Sequence, residues 1–384
     1  MRASVRNFEI SKNHKHLKRI SNLATLFAVM IVTAGCSSHK SAAPLDVLTQ
    51  ATVSGKFLYG HQDDLVYGKN WSFSSDSQSD VKSVCGQFPA IAGFDLAGIE
   101  LGDSLNIDGV PFDLMRTAAA DHVNRGGLVT FSWHPRNPFT GGDAWDVSSD
   151  QAVRSIIEGG ENHEKFMDWL SRAADFLESI KGKDGKPVPA IFRPFHENSG
   201  SWFWWGDDLC TPEEYKELFS LTHGYMVDVR GLKNLVWAYS PNSGFDPERL
   251  AERYPGDSLV DIIGLDHYEF VPADTTMTDQ ERLDTANEFF IKVLRRDLRR
   301  IGDFASSHGK LLALTETGFE GIPDPQWWTK TLLKGLEGIP VCYVLTWRNA
   351  WDKDSHYYGP FPGSADEEDF RAFYNDGRTV FLGE

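Results

Sequence analysis

Cysteine is scarce in this 384-residue chain: four residues, at positions 36, 85, 210 and 342, with no Cys-x-x-Cys spacing. That count excludes a disulfide framework and gives no zinc-site pattern, leaving at most one disulfide among the last three. Other signatures are missing too. His163 and Glu164 adjoin but form no His-Glu-x-x-His helix, no Gly-x-Ser-x-Gly elbow occurs, and no Gly-rich phosphate loop follows an apolar run. No catalytic metal and no cofactor are therefore expected, and an esterase of the elbow type is excluded. Positive charge is in the minority, 38 Lys and Arg against 55 Asp and Glu, for a formal net charge of −17. A nucleic acid or an anionic lipid surface would favour a basic face, so neither is expected as the main partner. Repeats, low-complexity tracts and a linker to a second domain are also absent.

What is present is apolar and aromatic. Hydrophobic residues make up 41% of the chain and twelve residues are Trp, enough for a large core plus aromatic faces of the kind a neutral sugar ring stacks on. The N-terminus stands apart from this. Arg2, Arg6, Lys12, Lys15, Lys18 and Arg19 precede an apolar stretch at 23–32, and small residues Thr33, Ala34 and Gly35 precede Cys36. The stretch is too short for a comfortable membrane span and reads as an export signal over residues 1–35. The Ala-Gly-Cys ending resembles the bacterial lipoprotein signal, with Thr33 standing where Leu is usual. That resemblance implies lipidation of Cys36, a linker over residues 36–50, a folded domain over 51–384, and an exported protein at the outer membrane of a Gram-negative bacterium, touching the membrane only through its lipid anchor. A monomer is expected.

Within the folded domain, eight short apolar runs end in polar residues, at 57–62, 89–96, 128–134, 190–197, 235–242, 261–268, 311–318 and 341–349. Helical patterns lie between them at 111–125, 164–181, 212–230, 280–308 and 327–336, two opened by a capping residue before Pro, at Thr211-Pro212 and Asp324-Pro325. Eight alternations of buried strand and helix predict a single α/β domain, a closed (β/α)8 TIM barrel. Cys342, inside the last run, is expected to be a small core residue rather than a reactive thiol.

Barrel enzymes carry their chemistry at the C-terminal ends of the strands. Those ends read Gly60-His61-Gln62, Asp95, Trp133-His134, His196-Glu197, Asn242, Asp266-His267-Tyr268, Glu316 and Trp347-Arg348-Asn349. Ionisable groups closing apolar runs on every strand point to one shared polar cleft. Glu197 and Glu316 close the fourth and seventh runs. In a closed barrel these ends face one another, at the separation of about 5 to 5.5 Å that a double displacement at an anomeric carbon needs. Trp202, Trp204 and Trp205 follow Glu197 and are expected to desolvate it, making it the better proton donor; an ion pair with Arg193 is its competing fate.

The blocks Arg193-Pro194-Phe195-His196-Glu197, Gly200-Ser201-Trp202-Phe203-Trp204-Trp205-Gly206, Asp266-His267-Tyr268, Thr315-Glu316-Thr317-Gly318 and Thr346-Trp347-Arg348-Asn349-Ala350 resemble glycoside hydrolase family 26. The resemblance runs from about Leu58 to Tyr374. It implies a retaining hydrolase of β-1,4-mannosidic bonds in mannan, galactomannan or manno-oligosaccharides, with Glu197 as acid/base, Glu316 as nucleophile and Tyr268 positioning it. His134, His196, Trp202 and Trp347 would line the subsite of cleavage, Arg348 and Trp351 would reach the next sugar outward, and Trp145 would stack or anchor its loop. Lichenan, β-1,3-xylan, or glycan binding without turnover are the alternatives. The loop at 97–111, with Glu100, Asp103, Asn106 and Asp108, is expected to wall off distal subsites and favour release of mannobiose over internal attack.

Overall fold

The computed structural model describes residues 44–73 and 78–383. The export-signal segment and Cys36 lie outside the described residues. Eight parallel strands close on themselves: β1 (Phe57–Gln62), β2 (Ile91–Asp95), β3 (Leu128–Trp133), β4 (Ala190–Pro194), β5 (Leu235–Tyr239), β6 (Ile262–Glu269), β7 (Leu311–Phe319) and β8 (Val341–Thr346). The seam is β8 against β1, with Leu58 opposite Tyr343 and His61 opposite Thr346. This is the expected (β/α)8 barrel, with its strands in the expected order.

Two apolar clusters show why the sequence alternates as it does. Successive strand residues face opposite sides. Residues on one side, including Leu58, Ile91, Leu128, Ile191, Val236, Ile262, Ala313 and Cys342, fill the barrel interior near its N-terminal end. Those on the other side, such as Tyr59, Phe94, Phe131, Phe192, Ile263 and Leu314, pack beneath the helix shell. Cys342 is indeed a buried core residue, and Cys85, Cys210 and Cys342 are all free thiols.

The shell includes Phe112–Asn124, His163–Ser179, Pro212–Gly224 and the long Asp279–Ser307, close to the expected positions. Thr211 and Thr278 each cap their helix reciprocally with a Glu three residues on. Two segments expected to be plain helix carry π-helical turns, Tyr225–Val229 and Trp328–Leu332. The first connection holds a short hairpin, Tyr67–Gly68 with Trp71–Ser72, and a helix at Asp80–Cys85. Beyond β8, the sequence pattern had not marked helix Glu367–Tyr374 or strand Thr379–Leu382, whose first residues pair parallel with the start of β1.

The linker boundary needs correction. Residues 44–50 are not linker but part of helix α1 (Pro44–Val53), whose Leu48 and Ala51 join the interior cluster and close the floor of the barrel. Leu48 is fully buried there. Leu48→Ala is expected to lower stability by about 2 to 5 kcal/mol, because it opens a cavity against first-turn strand residues. Urea denaturation would show this, and a loss below about 0.5 kcal/mol would mean that α1 is not integral to the barrel.

Candidate active site

On β4, Ile191 faces the barrel interior, so Arg193, two residues on, faces the same way one layer higher. Its side chain is buried, and it donates to Asp266 Oδ2 at 2.9 Å, to Ser240 Oγ at 3.1 Å and to Glu316 Oε1. Burial alone would disfavour its charge, but Asp266 and Glu316 override that and hold the guanidinium firmly protonated. Asp266 also accepts from Thr315 Oγ1, and a Cβ on Gly264 would lie 2.4 Å from the Thr315 side chain, so the glycine makes room for it. Strand alternation would not let neighbours Thr315 and Glu316 both face inward. A register shift against β6 between Leu314 and Glu316 allows it. Glu316 is buried, and its Oε2 accepts from Tyr268 Oη at 2.8 Å.

The chain leaves β4 early. Phe195 and Glu197 take left-handed backbone, φ 50° and 52°, unusual for residues with side chains. The Glu197 N–H is fixed to Ser240 O at 2.7 Å, and the turn presents its half-buried carboxyl to the mouth. Trp202 folds over Gly200, where any Cβ would meet its ring at 2.2 Å, and donates Nε1–H to Glu197 Oε2 at 2.7 Å. Carboxylate oxygens of Glu197, Asp266 and Glu316 lie within 4.8 Å of one another. Such a trio has the donor set of a cation site, but Arg193 already supplies positive charge to two of its members.

Three acids this close together, two of them paired with one guanidinium, cannot all ionise easily. Burial and the neighbouring Glu316 push Glu197 up to about 7, with the Trp202 hydrogen bond acting the other way. Burial and the other two carboxylates also raise Asp266. Asp266, however, touches Arg193 directly, which leaves Glu197, without that contact, to hold the proton. The ion pair between Arg193 and Glu197 considered from sequence does not form.

Beside the acids stand two histidines. Asp95 accepts from Ser132 Oγ (2.6 Å), Ala97 N (2.9 Å) and His134 Nδ1 (2.7 Å). Burial opposes charge on His134, but Asp95 outweighs it and raises the imidazole. His196 Nε2 lies 3.1 Å from His134 Nε2 and is kept neutral by burial, with Arg193 and His134 adding to the effect. Trp145 stacks flat on His134 at 5.2 Å and 13°, and Phe203 supports both. Next to them opens a cavity of about 460 Å³, lined by Asp95, Asp108, His134, Trp145, Trp347, Arg348 and Trp351 among others. Arg348 pairs with Asp108 at 2.9 Å, Trp351 Nε1 donates to Asp108 O at 3.3 Å, and behind them Tyr67 donates to Asp63 at 2.7 Å. The 97–111 loop thus meets the loop after β8 at one end of the cavity.

With this geometry in view, the sequence signature of glycosyl hydrolase family 26 matches residues 39–293. The chain belongs to that family. A family 26 β-mannanase from Bacteroides ovatus is similar over 90% of this chain and 95% of its own, with 44% identity and a TM-score of 0.83. An endo-β-1,4-mannanase from Cellulomonas fimi, as a double mutant, shares 34% identity at a TM-score of 0.74 over 90% and 77%. Mannan endo-1,4-beta-mannosidase from Bifidobacterium adolescentis is 30% identical over 96% of this chain and 39% of its own length. The Bacillus subtilis protein of that name is 33% identical over 51% and 55%. The chain therefore spans between two fifths and just over half of these curated relatives.

In this family 26 chain the structure brings Glu197, Glu316, Tyr268, His134, His196 and Trp202 together at the barrel mouth, and Trp145, Trp347, Arg348 and Trp351 line the adjoining cavity. Three expectations change. Trp204 and Trp205 do not surround the Glu197 carboxyl; both are buried, donating to Pro135 O and His196 O. His267 turns outward and stacks on Phe290. Asn242 bonds Ser199 rather than reaching the carboxylates. The anchoring role of Arg193 was missed, although its two-residue spacing from Ile191 marks it as inward-facing.

Glu197 is expected to titrate near 7, and Trp202→Phe, which removes a hydrogen bond to the ionised form, should move it upward. Carboxyl-13C glutamate NMR, assigned with Glu197→Gln, reads both. A Glu197 midpoint in the ordinary carboxylate range, or a downward move in the variant, would contradict the assignment.

Proposed function

We propose that the protein is a retaining hydrolase of β-1,4-mannosidic bonds, with Glu316 as nucleophile and Glu197 as acid/base. The observation that carries this reading is the close pair of carboxyls in unequal surroundings. Their oxygens approach within 4.8 Å, near the short separation of a double displacement and below the roughly 6.5 to 9.5 Å that an inverting enzyme leaves for water. Glu316, fixed through Oε1 by Arg193 and through Oε2 by Tyr268, attacks the anomeric carbon. Glu197 gives its proton to the departing glycosidic oxygen, and a glycosyl ester on Glu316 results. Glu197, now ionised, takes a proton from water, whose oxygen attacks the anomeric carbon and frees Glu316, leaving the anomeric configuration unchanged.

Mannan is favoured over other β-glycans by the names of the relatives and by the His134–His196 pair, whose ring nitrogens suit the axial 2-hydroxyl that distinguishes mannose from glucose. Trp347 forms the floor of the cleavage subsite, and Trp145, Arg348 and Trp351 hold the next sugar outward. The contacts of Asp108 with Arg348 and Trp351 close that end of the cleft, which favours short products such as mannobiose. We further propose that the chain is exported and lipidated at Cys36; palmitate labelling in cells should be lost in Cys36→Ser, and unlabelled wild type would rule this out.

The enzymatic reading is tested with mannan, lichenan, β-1,3-xylan and mannohexaose. Wild type should release reducing sugar from mannan with β-configured first product by 1H NMR, and mainly mannobiose from mannohexaose. Its kcat/KM should fall as pH rises through about 7, because the general acid loses its proton there. Glu197→Ala and Glu316→Ala should each lose about 10²- to 10⁴-fold. Full activity in either variant, an α first product, or release only from lichenan or xylan would overturn the corresponding part.

A further inference from the structure

Tyr358, on the loop after β8, has no part in the site as described above, yet three independent contacts seat it there. Its ring lies over Gly318, where a Cβ would be 2.4 Å from Tyr358 Cδ1. Gly318 is the register partner of Tyr268 on β6, and the Tyr358 ring meets the Tyr268 ring edge-on, centroids 5.6 Å apart at 72°. The third contact fixes the backbone: Asn349 Oδ1 accepts from Tyr358 N (3.1 Å) and Gly359 N (2.8 Å), while Asn349 Nδ2 donates to Asp80 and to Pro360 O. His356 adds an edge contact to Tyr358 at 5.2 Å and is itself held by Glu320 at 2.8 Å.

The Tyr358 hydroxyl has no hydrogen-bond partner among the described residues, so what the site uses is the ring. Tyr268 needs such support. Its hydroxyl holds Glu316 Oε2, and a phenol at the open rim of a barrel would otherwise swing about χ1 at little cost.

We propose that Tyr358 is a positioning residue: its ring, seated on Gly318, braces Tyr268 and thereby fixes the oxygen of Glu316 that Tyr268 holds. The loop after β8 then contributes twice, through Trp347 and Arg348 to the sugar and through Tyr358 to the aim of the nucleophile. Glycine at 318 is required because the brace occupies the space of its side chain.

The proposal rests on the hydrolase reading, and its test uses whichever β-glycan the wild type cleaves in the panel above, so an error over mannan leaves it intact. A wild type that cleaves none would sink both. Tyr358→Ala is expected to lower kcat by about 10- to 100-fold with KM within about 3-fold, since a misaimed group costs rate rather than ground-state binding. Tyr358→Phe, which keeps the ring, should retain at least about half of kcat. In a Tyr268→Phe background, where the braced hydroxyl is gone, adding Tyr358→Ala should cost less than about 3-fold more. Gly318→Ala, which displaces the ring without truncating it, should reproduce Tyr358→Ala and serves if that variant folds poorly. Full additivity with Tyr268→Phe, a loss confined to KM, or a Phe variant as impaired as the Ala variant would overturn the brace.

Discussion

The site depends on one cation buried under the barrel mouth. Arg193 pairs with Asp266 and Glu316 and leaves Glu197 out, so of the three carboxyls only Glu197, raised by burial and by the neighbouring Glu316, lacks a direct ion pair with that cation. The arrangement is demanding. A buried guanidinium stands only if its partners repay its desolvation with good geometry, and here the partners come from β6 and β7, with Ser240 beyond the end of β5 satisfying a further N–H. The register shift in β7 and the bare Cα of Gly264 exist on this view to bring Thr315 and Glu316 to the same side. Removing Arg193 would leave Asp266 and Glu316 uncompensated at close range, so the cation belongs as much to the folding of the upper barrel as to its chemistry.

Much of this was legible in the sequence because two simple periodicities carry it. Apolar runs ending in polar residues located all eight strands and, among the residues that meet at the mouth, His134, His196, Glu197, Tyr268 and Glu316. What could not be read is equally specific. Phe195 and Glu197 leave the sheet through left-handed backbone, so β4 ends at Pro194 rather than at Glu197, and no propensity signals such a turn without glycine. The ion pair between Arg193 and Glu197, open from sequence as the alternative to a catalytic role, does not form, because the barrel brings Glu316, over a hundred residues away, to the same guanidinium. Helix α1 was hidden in a stretch short enough to pass for linker; its apolar residues acquire meaning only once there is a barrel floor to fill.

The run from Trp202 to Trp205 shows how aromatic content divides between packing and chemistry. Trp204 and Trp205 are fully buried, and each uses its indole N–H to tie a neighbouring backbone carbonyl. Phe203 stacks on Trp205 and supports both histidines. Only Trp202, folded against Gly200, is left exposed to touch a carboxyl. One short segment therefore builds the wall behind the histidines and the hydrogen bond to Glu197 together.

Helix α1 has a consequence for the polarity of the molecule. Because it plugs the floor of the barrel, the polypeptide enters the domain from the end opposite the strand termini that carry the acids. Pro44 and the mouth that carries Glu197 and Glu316 thus stand at opposite poles of the barrel.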